Sequence, residues 1–128
     1  MVAVRVKSDV PPADYSKCNQ TVTIYHSDGQ TYTKTVITHA FFDFRKNQNS
    51  NKVGVSESNS FLLVIPYFAS SEQPVFNGDK VLLGEGADIT SREEWAALIP
   101  SKVANLAVVK SVDPKYWNNA IAHWEAGG

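Results

Sequence analysis

Residues able to do chemistry are few in this 128-residue chain, and they stand far apart. Three histidines, His26, His39 and His123, could serve as bases or metal ligands, yet none has a partner at metal-ligand spacing. His26 and His39 fall within one segment that folds back on itself, so the two imidazoles are placed to meet across a hairpin; a structural role is the simpler expectation for both. Glu93 and Glu94 form a carboxylate pair, but negative charge is favoured at a helix N-terminus, and capping accounts for them without catalysis. The single Cys18 excludes an internal disulfide framework and a CxxC metal site. With no histidine beside it in sequence, it lacks the base that would activate a thiol. The stretch Gly84-Glu85-Gly86 has neither the spacing nor the following lysine of a phosphate-binding loop. Neither a Gly-x-Ser-x-Gly elbow nor a His-Glu-x-x-His motif occurs. No catalytic residue, metal site or cofactor is expected, and the chain reads as a non-enzyme.

Two stretches could bind rather than react. Ala40-Phe41-Phe42-Asp43-Phe44, followed by Arg45 and Lys46, has the composition of a stacking platform for bases or sugars. The alternation puts Phe41 on one face and Phe42 with Phe44 on the other, which fits core packing better. A strand apolar on both faces is expected to be covered twice, by its own core and by another subunit. The next eight residues, Arg45-Lys46-Asn47-Gln48-Asn49-Ser50-Asn51-Lys52, contain no apolar side chain. Such a stretch cannot offset its ordering entropy by burial and is expected to be a mobile loop in an isolated monomer.

The elements that must position these residues are mostly strands. Val2, Val4 and Val6 alternate with Ala3, Arg5 and Lys7, the period of a half-buried strand. Pro11 and Pro12 then hold the chain extended, so residues 1–20 read as an N-terminal arm and linker able to grip a neighbouring subunit. Residues 21–44 read as a β-hairpin, because Asp28-Gly29 supplies the tight turn and the flanking residues are β-branched and aromatic. Phe61 to Tyr67 is a continuous apolar run stopped at Pro66, Asn77-Gly78 marks a reversal, and Lys80 to Gly84 is a short strand. The one helix is expected at about 91–99. Thr90 with Glu93, or Ser91 with Glu94, stands in capping-box spacing, Trp95, Leu98 and Ile99 share a face, and Pro100 ends it. A further strand is expected to end at Asp113-Pro114, and the last stretch reads as a strand over residues 120–125, with a short helix as the alternative. Many strands, one short helix and no strand–helix alternation predict a mainly β fold, a small antiparallel β-barrel or sandwich, with a single domain over residues 21–128.

Composition bounds the rest. The chain is 43% hydrophobic and 20% charged with a net charge of −1, which gives no basic footprint for nucleic acid over the whole domain. No apolar run approaches the ~18 residues needed to cross a bilayer. None of signal-peptide length follows the N-terminus. A soluble product of the cytoplasm, with no membrane partner, is expected.

The order "TVTIYH", long hairpin, polar loop, "FLLVIPY", then "NGDKVLLGEG" resembles the small head-completion and stopper proteins of tailed bacteriophages. In that family a strand ending in proline, a turn, Gly-Asp-Lys/Arg, a strand and a glycine lie in the second half of a small β-barrel. The final "VKSVDPKYWNNAIAHWEAGG" is similar to small uncharacterised prophage proteins encoded among head and neck genes. The likeness runs over residues 21–128. It departs from the stopper pattern in a longer N-terminal arm and in the inserted "ADITSREEWAALIPS". The resemblance implies a structural virion protein of the neck, made in the host cytoplasm. It would form a homo-oligomeric ring of six or twelve copies between portal or adaptor and tail proteins. Such a ring would complete the head, help retain DNA and present the surface to which the tail attaches. It further implies that a polar loop closes the DNA channel, with Arg45, Lys46, Asn47, Gln48, Asn49 and Lys52 as non-specific DNA contacts and Val2, Val4 and Val6 as the subunit-contact arm. A tail terminator or minor capsid protein is the alternative. A small ligand-binding module, with Tyr32, Phe42 and the tryptophans forming a groove, is the reading from another class.

Overall fold

The computed structural model describes residues 14–49 and 56–128, with the backbone alone for 45–49 and 56–59. In chain order the elements are β1 (Gln20–Ser27), β2 (Tyr32–Asn49), β3 (Ser56–Pro66), β4 (Lys80–Leu83), α1 (Arg92–Ala97), β5 (Leu106–Val108), β6 (Ser111–Trp117) and β7 (Ala120–Gly127). All strand pairs are antiparallel, and the sheet order is β5-β4-β1-β2-β3-β7-β6. The fold is mainly β with one short helix, as its sequence predicts.

β2 organises the architecture. Its first half, Tyr32 to Ala40, pairs with β1, and its second half, Phe41 to Asn49, pairs with β3. The strand therefore passes from one four-stranded layer to another. The register of β1 slips between Gln20 and Val22 at the crossing, where a bulge bends a strand. Ala40 is fully buried there, and the Gln20 side-chain oxygen accepts from the Phe42 amide at 2.8 Å, satisfying a donor that β1 has left behind. At the opposite seam, Val109 and Lys110 carry the chain from edge strand β5 to edge strand β6. The two edges are joined covalently but not by a ladder, so the sheet does not close into a barrel.

The core lies between the layers. Val22, Ile24, Ile37 and Val81 enter it from one side, and Phe42, Phe61, Leu63, Ile65 and Trp124 from the other. The alternation of buried residues along Phe61 to Ile65 of β3 and along β7 is the pleat expressed as burial. Phe42 packs against both Phe44 and Phe61 at ring-centroid distances of 5.9 and 5.8 Å, while Phe41 stands on the other face opposite Val64. Phe42 and Phe44 thus pack with the core, the arrangement their alternation predicts, and do not form a stacking platform.

β1 is buried on both faces, and the reason is the segment after β4. Thr23 Oγ1 donates to the Gly84 carbonyl at 2.7 Å and accepts from Gly86 N at 2.9 Å. Tyr25 donates its hydroxyl to the Ala87 carbonyl at 2.7 Å. A Cβ on Gly86 would collide with that hydroxyl and with Leu82, so a side chain is excluded by close approach. The segment leads into α1, whose N-cap Ser91 accepts from Glu94 N while Glu94 reaches back to Ser91 Oγ and Thr90 N. These contacts realise the predicted capping box and hold the Glu94 carboxyl below its usual range. The helix ends at Ala97, two residues short of the predicted end.

One strand expectation is corrected. Pro114 does not stop a strand; it sits within β6 opposite Trp124, on a sheet edge where a missing N–H costs no ladder bond. Asn118 and Asn119, at φ 49° and 63°, form the two-residue turn to β7, the left-handed pair that such hairpins require.

Candidate functional site

The structure separates the residues that the sequence singles out. His26 registers with Thr33 across the first hairpin, not with His39, so the two imidazoles do not meet. His39 is exposed beside Phe68, with ring centroids 6.0 Å apart, and its Nδ1 pairs with Thr38 Oγ1 at 3.1 Å. Glu93 and Glu94 are in the first turn of α1, as capping requires. Cys18 is buried, and desolvation raises its thiol pKa, with Asp14 adding to the rise; that environment suppresses the thiolate.

The proposed groove of Tyr32, Phe42 and the tryptophans does not exist. Phe42 and Trp124 are core, whereas Tyr32 faces Trp95 at 6.0 Å. Trp95 docks α1 onto the sheet, with Lys80 Nζ 4.4 Å above its ring and donating to its carbonyl at 2.7 Å. Desolvation lowers the Lys80 pKa.

Arg45 to Asn49 are strand, not loop. They pair with Ser60, Asn59, Ser58, Glu57 and Ser56 in register. Lys52, Val2, Val4 and Val6 lie outside the described residues. What distinguishes the paired stretch is its isolation. β1 leaves β2 at Ala40, and β7 leaves β3 at Leu62, so among the described residues no third strand joins this ribbon. At ~3.3 Å per residue its five pairs extend roughly 16 Å. Residues 45–60 contain Arg45, Lys46 and Lys52 against the single acid Glu57, so the ribbon is basic within a chain that is not.

Two side-chain clusters were missed from sequence. His26 Nδ1 meets Asp79 Oδ1 at 2.6 Å, and Asp79 Oδ2 accepts from Phe76 N at 2.8 Å. The Asp79 side chain is 3% exposed and that of His26 44%. An open cavity of about 280 Å³ adjoins them, lined also by Thr33, Thr35, Glu72 and Phe76. Asp79 nevertheless has a sufficient structural role. It closes the Phe76–Asp79 turn, and its carbonyl accepts from Val109 N while Gly78 N donates to the Val109 carbonyl. The Gly-Asp-Lys phrase thus clamps the β5–β6 corner, and nothing in its spacing announces the tie to His26.

The second cluster lies on sheet β3-β7-β6. Tyr15 Oη meets His123 Nδ1 at 2.7 Å, and His123 Nε2 meets Glu125 Oε2 at 2.8 Å. His123 and Glu125 share a strand face at spacing i, i+2, a signal visible in sequence. Tyr15 adds the end of the N-terminal linker, which therefore packs on the body before β1 begins. Among the described residues no group of three His, Cys, Asp or Glu side chains is arranged to hold a metal ion. No helix there is long and apolar enough to cross a membrane.

No curated protein and no solved structure matches the chain. A family model does match, over residues 17–128, from just before the buried Cys18 through the whole sheet. The protein belongs to that family, a family of unknown function designated DUF6751.

Proposed function

We propose that the protein is a structural component of a tailed-phage neck, a ring subunit whose polar β-ribbon faces the DNA channel. The observation that carries this reading is the ribbon of residues 45–49 and 56–60, which among the described residues pairs only with itself. A two-stranded ribbon standing alone is marginal in water, and this one offers no apolar stretch to bury. Such a ribbon gains stability when something outside the monomer contacts it. Its basic content suits a phosphate backbone met without sequence preference, the interaction that depends on charge alone. The resemblance of the chain's order to head-completion proteins points the same way.

In this mechanism no bond is made or broken. The rigid two-layer body sets the angle of the ribbon, copies around a portal multiply a small charge, and the combined ribbons narrow the channel. Deleting residues 47–51 in the parent phage tests it. The expected result is heads that fill but lose their DNA before tails attach; unchanged DNA retention would remove the channel role.

A further inference from the structure

Ile24 and His26 share one face of β1, and their partners across the ladder are Thr35 and Thr33. Ile24 belongs to the core at 2% exposed. Two residues on, the His26 side chain is 44% exposed. There the core face gives way to the open cavity of about 280 Å³, which Ser70, Glu72, Gln73 and Phe76 of the β3–β4 connection also line.

The chemistry of this lining is one-sided. Asp79 uses both carboxylate oxygens, one on Phe76 N and one on His26 Nδ1. The neutral imidazole therefore carries its proton on Nδ1 and presents a lone pair at Nε2. Among the described residues that nitrogen has no hydrogen-bond partner. Two lining donors are turned to the backbone: Ser70 Oγ donates to the Glu72 carbonyl at 2.7 Å, and Gln73 Nε2 to the Val75 carbonyl at 2.9 Å. The carboxylate residues Glu72 and Asp79 line the cavity, and among the described residues no lysine or arginine does. Phe76, 46% exposed, stands 5.8 Å from the His26 ring. A negative, acceptor-rich hollow with an aromatic wall selects a cation.

Size narrows the choice. Pockets for drug-sized molecules measure about 300–1,000 Å³, so this one suits a single side chain or a group of that bulk. Of the two cationic side chains, arginine is planar, weakly hydrated and able to stack on an aromatic face, whereas the lysine ammonium is compact and strongly hydrated. The guanidinium also has donors only, the complement of this lining.

We infer that the cavity receives an arginine side chain of a partner protein, its guanidinium donating to His26 Nε2, balanced by the charge of Glu72 and lying against the Phe76 ring, with Asp79 holding the imidazole in place. The inference goes beyond the neck reading and stands without it, because it names what a neighbour must present.

NMR of the full-length protein, labelled with nitrogen-15 at its histidines, tests it at about pH 8, where imidazole is ordinarily neutral. Three probes are titrated: N-acetylarginine methylamide, its uncharged citrulline counterpart, and butylguanidinium. The expected result is a saturable shift of the His26 Nε2 resonance by the arginine probe, with His39 and His123 unmoved. The citrulline probe should bind at least fivefold more weakly. Glu72→Gln and Phe76→Leu, both at exposed positions, should each weaken the arginine probe at least threefold, with thermal melts within a few degrees of wild type. No saturable shift, equal binding of the citrulline probe, or indifference to either substitution overturns the inference. Binding of butylguanidinium without the arginine probe overturns it as well, by assigning the cavity to a free small cation. None of these results bears on DNA retention, which remains the test of the neck reading.

Discussion

Asp79 carries more of the fold than its size suggests. One nearly buried carboxylate closes a turn through Phe76 N and ties that turn to β1 through His26. Removing it leaves the Phe76 amide and the His26 imidazole without their acceptor, and an unsatisfied group costs up to about 1–3 kcal/mol when buried. Asp79→Ala is therefore expected to lower stability by that amount in urea unfolding, with Asp79→Asn, which still accepts from Phe76 N, falling between it and wild type. Equal stability of all three chains would deny Asp79 this role. Asp28 behaves differently, because it is fully exposed. Its carboxylate accepts from Thr31 N, Gln30 N and Thr31 Oγ1 in the β1–β2 turn, which lowers its pKa to about 2. The ordinary value near 3.8 is thus displaced downward. What the ionised group contributes is fully present above that ordinary value and is lost as pH falls from there through about 2. Carboxyl chemical shifts followed by NMR should show an Asp28 midpoint close to 2; a midpoint near 3.8 would show the turn does not hold the carboxylate.

At the scale of elements, the segment between β4 and α1 acts as a lid over the second face of β1. Its closest approach is Gly86 against Tyr25. Gly86→Ala should cost about 1–3 kcal/mol, the usual penalty for overpacking. Tyr25→Phe should recover part of that loss, although on its own it sacrifices the hydrogen bond to Ala87. A double-mutant cycle would measure the coupling, and simple additivity would contradict the contact. Much of the strand order was legible in sequence because glycine marks its turns: Asp28-Gly29 and Asn77-Gly78 both lie at reversals, with the glycines at φ 96° and 89°. The Asn118-Asn119 turn was not legible, since asparagine enters the left-handed region without advertising it. The separation of β5 from β6 was hidden too. "ANLAVVKSV" carries no turn signal between Val109 and Ser111, and only the change of layer at Val109-Lys110 divides it. The ribbon escaped for the opposite reason. Its residues have no burial pattern to follow, so backbone pairing continues where hydrophobic periodicity stops. The candidate site shared that limit: Arg45 and Lys46 were singled out by charge, but their place in a strand rather than a loop is set by the partner strand.

The whole molecule is polarised. A polar two-stranded ribbon extends from one end of its second layer, and Tyr15, at the end of the N-terminal linker, packs on His123 near the other. Between them a core shared by two layers and clamped at both seams holds the two ends at fixed separation. That arrangement suits a part that joins other parts. Leu63, fully buried near the centre of β3, tests the rigidity of the body. Leu63→Ala should destabilise by about 2–5 kcal/mol, and particle assembly should fail in proportion to the unfolded fraction, read from the yield of tailed particles at rising temperature. The central claim is that the protein acts as a ring subunit in the particle. If the chain is a virion protein as proposed, counting its copies per particle by quantitative mass spectrometry of purified tailed particles tests that claim most directly. Six or twelve copies per portal ring is the predicted result; absence of the chain from infectious particles would contradict it.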